Sequence, residues 1–382
     1  MRHCKKHKDF QVKIYRQAAQ LPKIWDDLLP QSHFLNVAQL GIYERINLPD
    51  ISFVYALIFQ GEKPLGAAYF QVLSIKEKHL HTAVLKQWQQ KAWKGFTNLG
   101  SPRLLVAGHL FRHDICSFYW DENVADFDAY KMYQVAIKKA MKSAHAHAVL
   151  VKDVNETLIP YFQHYAPEYI LLRNDISMEM DVQEEWETIK NYEQSLKHKY
   201  AQRFRKVRQP WEQLEVAELS NEETEQQKHV LYNLYQQVSA RQQVRLGILS
   251  EDFLPELKAN NSNLRIWLAK HNDIPVAFFS AWTHNGAFDM FYIGFDYAKN
   301  EELQLYFNIL FFAVEQAIIL KKQKLILGRT ALEAKARLGC KPKYLSTYLY
   351  IRNPILRNVI TRLQTNINSM EGEWENRHPF KK

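Results

Sequence analysis

FVYALIFQGEKPLGAAYFQV, Phe53–Val72, sets an apolar run, a polar turn through Gly61-Glu62 and a second apolar run in succession. Runs of aromatic and β-branched residues on either side of a glycine-containing turn read as a β-hairpin. LRIWLAKHNDIPVAFFSAW, Leu264–Trp282, repeats this grammar around Asn272-Asp273, with Pro275 in the position of Pro64. The same series of units follows each hairpin. Tyr130–Lys142 (YKMYQVAIKKAMK) and Leu305–Lys321 have helical spacing and lead into buried strands at Ala148–Asp153 and Lys324–Thr330. A short helical stretch and a last strand then close each half, Tyr169–Met180 in the first and Lys343–Ile351 in the second. The first half holds extra material between hairpin and helix, including Trp88–Lys94. Repetition at this scale predicts a duplicated unit. The expected fold class is α/β, with mixed α+β sheets in two tandem domains. They occupy residues 1–183 and 184–352, the acidic stretch Asp181–Glu187 marks the boundary, and a C-terminal helix and tail follow at 353–382.

Composition narrows the partners. The chain has 382 residues, 47% hydrophobic and 24% charged, enough for two cores and unlike a disordered chain. A net charge of +9 suits a polyanion such as nucleic acid, nucleotide, coenzyme A or an anionic membrane face, although solvated lysines give the same figure. Cys4, Cys116 and Cys340 make no disulfide framework, and MRHCKKHKDF has no apolar signal core, so a cytoplasmic location is expected. The most apolar long window, Leu305–Leu320, contains Asn308, Glu315 and Gln316 and reads as a buried helix, not a membrane span. Pro354–Met370 is amphipathic and is expected to dock on the body; peripheral membrane association is its alternative.

Asn191–Arg208 (NYEQSLKHKYAQRFRKVR) puts Leu196, Tyr200, Phe204 and Val207 on one helical stripe, and Pro210 ends it. Lys197, Lys199, Arg203, Arg205, Lys206 and Arg208 surround the stripe with no acid among them. A solvated basic face accounts for this; so does a phosphate-binding face, which dense like charge favours. LILGRTALEAKARLG, Leu325–Gly339, ends a buried strand abruptly and sets Arg329, Lys335 and Arg337 about its exit.

Three stretches carry a family resemblance: HFLNVAQLGIYE (His33–Glu44), SLKHKYAQRFRKVR (Ser195–Arg208) and KLILGRTALEAKARLG (Lys324–Gly339). With the duplicated unit, they resemble the FemABX-like proteins, tandem-domain members of the GNAT acyltransferase superfamily. The resemblance covers most of the chain. It implies an acyl- or aminoacyl-transferase that forms an amide on a primary amine, with acyl-CoA or aminoacyl-tRNA as co-substrate, no bound cofactor, and a peptidoglycan precursor as acceptor. One departure stands out. The Arg/Gln-x-x-Gly-x-Gly/Ala phosphate turn of acetyl-CoA-binding GNAT domains has its nearest match at Lys63-Pro-Leu-Gly66-Ala-Ala68, inside a hairpin.

On this resemblance Lys335 stabilises the oxyanion or holds a donor phosphate, and Arg329, Arg337, Arg203, Arg205 and Lys206 bind the donor's phosphates or carboxylate. Glu333, Asp289 and Asp296 are candidate bases, and Tyr292 and Tyr306 candidate proton donors. Strict alternation along DMFYIGFD, Asp289–Asp296, puts Tyr292 and Asp296 on one face. His109-x-x-x-His113 with Asp114 has metal-ligand spacing only on a helix, and its flanks read as strands, so no metal is expected. The alternative from another class is a non-catalytic module that keeps a basic groove for an anionic ligand or nucleic acid.

Overall fold

A computed structural model describes residues 10–31, 33–81, 86–98, 102–112, 115–172, 176–284, 286–367 and 377–381. The first seven strands are β1 (Gln11–Tyr15), β2 (Ile51–Gln60), β3 (Lys63–Ser74), β4 (Arg103–Ala107), β5 (Phe118–Trp120), β6 (Ala148–Val151) and β7 (Ile170–Leu172). Then come β8 (Ile176–Asp181), β9 (Glu215–Glu218), β10 (Leu264–His271) and β11 (Ile274–His284). The last four are β12 (Ala287–Phe295), β13 (Lys324–Gly328), β14 (Lys341–Tyr344) and β15 (Thr347–Ile351). They make two mixed sheets, ordered β1-β2-β3-β4-β6-β15-β7, with β5 beside β3, and β14-β8-β13-β12-β11-β10-β9.

Both hairpins form as read, β2 with β3 and β10 with β11. Asn272 and Asp273 make the second turn at φ 51° and 63°, the left-handed region that these two residue types tolerate. Each hairpin bulges at the same point. Leu65 is the extra residue between Phe59↔Pro64 and Ile58↔Gly66, and Val276 between Lys270↔Pro275 and Ala269↔Ala277. A proline has no N–H to give a ladder, so a bulge is where a strand accommodates it. The repeat is therefore present in the register as well as in the pattern.

The expected last strands do not stay whole. Tyr169–Met180 divides into β7 and β8, and Lys343–Ile351 into β14 and β15. β8 lies between β13 and β14, antiparallel to both, and β15 likewise between β6 and β7. Each half thus completes the other half's sheet. The two compact units accordingly comprise residues 1–173, 244–248 and 345–366, and residues 174–243, 249–344 and 367–382, and do not divide at 183 or 352.

In the first unit Val54, Ala56, Ala68, Phe70 and Val72 share a core with Tyr130, Tyr133 and Ile137 of the helix Asp126–Ala144. In the second, Phe279, Phe288 and Phe295 share a core with Phe311 and Phe312 of the helix Leu305–Ile319. Asn308 is buried in that helix, and its amide donates to the carbonyls of Val207 and Leu303 at 2.8 and 3.0 Å. No single helix among the described residues is long and apolar enough to cross a membrane. Trp88–Lys94 lies in a helix, Gln87–Asn98. The tail does not stay with the helix Pro354–Ile367: Pro379 and Lys381 hydrogen-bond to Lys197 and Ser195, and Phe380 packs on Trp186 and Tyr192.

Helix Lys228–Ser239 lies so close to β12 that a Cβ on Gly294 would stand 2.4 Å from the nitrogen of Tyr235 and 2.5 Å from the carbonyl carbon of Leu234. At the hairpin turn, a Cβ on Gly61 meets nothing within 4 Å and only its φ of 62° is unfavourable. In urea unfolding Gly61→Ala should cost about 1–2 kcal/mol, and Gly294→Ala about 3 kcal/mol or more. Equal losses would contradict this packing.

Candidate active site

β12 and β13 run parallel but pair only at Ala287↔Lys324, Phe288↔Leu325 and Asp289↔Ile326. Beyond these pairs β12 continues to Phe295 and β13 to Gly328, apart from one another. One cause is a bulge in β12, where Phe291 and Tyr292 both stand opposite Ser280. Buried Ser280 fills it: its Oγ donates to the Tyr292 carbonyl at 2.9 Å and accepts the Tyr292 N–H at 3.0 Å. The other cause is β8, which pairs along β13 with its own register shift between Ile326 and Gly328. Strands that part leave backbone edges beside which an extended chain can lie, at the carboxyl ends where α/β sheets bind ligands.

Gly328 ends β13 at φ 77°, Ala331 turns at φ 53°, and the helix Leu332–Ala336 follows. Lys335 on this helix is only 3% exposed, and its Nζ donates to the Gly328 carbonyl at 3.2 Å. Burial pulls its ammonium down to about 8, against the opposing pull of the Cys340 thiol. Burial also pushes the Cys340 thiol up to about 12, with Lys335 opposing. Tyr306 is raised well above its ordinary value, by burial first and then by Tyr297 and Cys340. Lys335 and Tyr306 thus both feel the charge of one buried thiol, Cys340.

The other expected residues go elsewhere. The bulge advances the alternation by one, so Met290, Ile293 and Phe295 pack with the helix core. Tyr292 stands with Phe291 against Phe253 and Tyr235, and does not share a face with Asp296. Asp296 lies past the strand and caps the helix Tyr297–Leu303, accepting the Ala298 N–H at 2.9 Å. Asp289 is 7% exposed, at the last pair before the strands part.

Glu333 accepts from Arg337 Nε and Arg377 Nη2, both at 2.9 Å. Arg203 stacks over Phe307 at 4.8 Å, and its pKa is lowered by burial and by Arg337, with Glu333 opposing. Arg203, Arg337, Arg377 and Glu333 therefore form one network, and Lys335 belongs to a different, buried one. Arg329 is half-exposed at the strand exit. The expected helix Asn191–Arg208 is broken into Ile189–Ser195 and His198–Arg208, and the basic second piece is not without acids. Arg205 pairs with Glu193 of the first piece at 2.7 Å and Arg208 with Glu315 at 2.9 Å, while Lys206 is exposed with no ion pair among the described residues. His113 and Asp114 lie outside the described residues, and His109 is fully buried. Sequence reasoning missed Ser280 and Cys340; the one signal for Cys340 is its closeness in the chain to Lys335.

The two long helices start unlike phosphate cradles. Asp126–Ala144 opens with Asp126 and Asp128, which oppose an anion at a helix N-terminus. Leu305–Ile319 begins behind Gln304, and its Tyr306 N–H is bonded to Asn300 Oδ1 at 2.9 Å. Lys63–Ala68 lies within β3, where Lys63 pairs with Asp121 at 3.2 Å.

No family model and no curated protein matches the chain. Among solved structures, the tandem GNAT protein from the clavulanic acid biosynthesis pathway aligns with 91% of this chain and 99% of its own, with a TM-score of 0.50 and 9% identity. L-PGS from Bacillus licheniformis aligns over 86% of this chain and 91% of its own, at TM-score 0.49 and 11% identity. FemX aligns over 80% and 90%, at TM-score 0.44 and 9% identity. The two mixed sheets, each with a parallel pair at its centre, are a tandem GNAT fold.

Proposed function

We propose that this chain is an N-acyltransferase whose second unit moves an acyl or aminoacyl group onto a primary amine, with Lys335 handling the proton. The observation that carries this is the buried Lys335 amine at the carboxyl end of β13, whose ammonium burial pulls down to about 8. Such an amine is partly neutral near pH 7 and can accept a proton. When the acceptor nitrogen attacks the acyl carbon, a C–N bond forms and the nitrogen must lose a proton; Lys335 takes it. The ammonium so formed, or the Tyr306 hydroxyl, returns a proton to the thiol or hydroxyl that leaves as the acyl–S or acyl–O bond breaks. The Tyr306 phenol is protonated at neutral pH, the form a donor needs, and burial makes it the weaker acid of the two.

The donor is an acyl group on a phosphate-bearing carrier, acyl-CoA or aminoacyl-tRNA, held by side chains more than by a backbone loop. Arg203, Lys206, Arg329 and Arg337 are the cations for that task, and the acceptor is an amine of the peptidoglycan-precursor kind. The test is a mass-spectrometric screen of acyl-CoAs and aminoacyl-tRNAs against primary amines. Transfer from at least one donor is expected; tight carrier binding without transfer from any donor would favour the non-catalytic module.

Lys335→Met should lower kcat by about 10²–10⁴-fold and remove the rise in rate that the wild type shows as pH climbs to about 8. An unchanged pH profile in the variant would reject Lys335 as the base. Its stability should change in the opposite direction. Below pH 8 Lys335 is charged in both folded and unfolded chains, and the fold carries the full desolvation cost. Between 8 and the ordinary 10.5 the unfolded chain binds the extra proton, so wild-type stability rises with pH. Lys335→Met should therefore gain on the order of 3 kcal/mol at pH 7, a gain that shrinks towards pH 11. A stability loss at pH 7 would contradict this burial.

The double change Arg203→Gln with Lys206→Gln should reduce the salt slope of carrier binding by about two, while Arg205→Gln, already paired with Glu193, should alter it less. Identical slopes in all three proteins would remove the basic helix from the donor site.

A further inference from the structure

We infer that the first unit has a binding site of its own for a small carboxylate, lined by Tyr69, Gln71 and His109. In β3, Ala68, Phe70 and Val72 face the helix core, so Tyr69 and Gln71 face the other way, opposite Tyr55 and Phe53 of β2. β4 ends at Ala107, and Gly108, at φ +146°, passes so close to Lys152 that a Cβ would lie 2.6 Å from that residue's own Cβ. This turn brings His109 back over the sheet. Its ring stacks on Tyr69 at 6.0 Å and meets Tyr43 and Phe34 edge-on at 4.7 and 5.2 Å. Tyr69, Gln71 and His109 are all 0% exposed.

Their hydrogen bonds point to a missing acceptor. His109 Nδ1 accepts the backbone N–H groups of Phe111 and Arg112, both at 3.1 Å, so the ring proton is on Nε2, which has no partner among the described residues. Gln71 Oε1 accepts the Leu110 N–H at 2.7 Å, which fixes Nε2 as the remaining amide donor, and it too has no partner among the described residues. The Tyr69 hydroxyl is likewise unpartnered; the Gln71 amide lies near it but outside hydrogen-bond geometry. The backbone thus fixes both the tautomer and the amide orientation, yet leaves these donors buried with no acceptor among the described residues, a cost that a bound acceptor relieves.

Donors of this kind reject a cation and select a ligand rich in acceptors. Arg112 and Lys152 add positive potential, enough to help burial keep the His109 ring neutral. Glu44, an acid that acts on Tyr69, is engaged by the Tyr55 hydroxyl at 2.6 Å and the Ala18 N–H at 2.8 Å. A carboxylate supplies two planar acceptor oxygens and one negative charge, and the rings of Phe34 and Tyr43 suit a short apolar substituent. Lys152 Nζ, bound to the His109 carbonyl at 2.8 Å, holds the loop in position. The site is independent of the transfer chemistry assigned to the second unit.

The experiment is NMR of the full chain with labelled histidine, the His109 signal being identified by its loss in His109→Asn. Titration with sodium acetate should shift that signal saturably below ~0.1 M, whereas methylammonium chloride at matched ionic strength should not. Gln71→Met, close in shape but without the donor, should weaken acetate by about tenfold or more, and Tyr69→Phe should weaken it with the fold intact. No saturable shift with acetate overturns the proposal. So does an unaltered acetate response in both Gln71→Met and Tyr69→Phe, as expected if the bare donors are bonded only to buried water; should Gln71→Met not fold, Tyr69→Phe decides alone.

Discussion

β8 pairs with both β13 and β14, and the geometry of the second unit depends on that pairing. A strand drawn from the first half of the sequence holds β13 away from β12 and fixes the level at which β13 stops. The stopping point sets Gly328, and Gly328 sets the short helix that buries Lys335. In the first unit β15 takes the equivalent position between β6 and β7. β7 and β14, of three and four residues, are short outer strands, as edges often are.

Charge divides along the same lines. A buried lysine bonded to a backbone carbonyl is chemically unlike an exposed arginine stacked on a half-buried ring. In the sequence Lys335 and Arg337 sit two positions apart and read as one cluster, yet the helix turns one inward to Cys340 and the other outward to Glu333. The inward one has its protonation tuned by burial. The outward ones are suited to long-range attraction of an anion.

Much of the fold was legible because the signals were local. Turn residues at Gly61 and Asn272-Asp273, the matched prolines and the apolar window at Leu305 all depend on neighbours in the chain. What was not legible depended on distant partners. Nothing near Tyr292 announces that Ser280 will fill a bulge beside it, and without that bulge strict alternation assigns its face wrongly. The divisions of Tyr169–Met180 and Lys343–Ile351 follow from which sheet has a gap, information carried by the whole topology. Glu193 and Glu315 neutralise the basic helix from elements outside it. His109 was weighed only as a metal ligand, because the backbone groups that fix its tautomer become visible only once the loop is folded.

The exchange also sets an order for the making of this protein. During synthesis β8 leaves the ribosome well before β13, so the second sheet has its borrowed strand waiting. The first sheet does not. β6 and β7 emerge early, but β15, which joins them, ends at Ile351 and emerges far later. Of the two sheets, the one begun first is thus the last to receive its final strand, and meanwhile the edges of β6 and β7 stay open to strands of other chains.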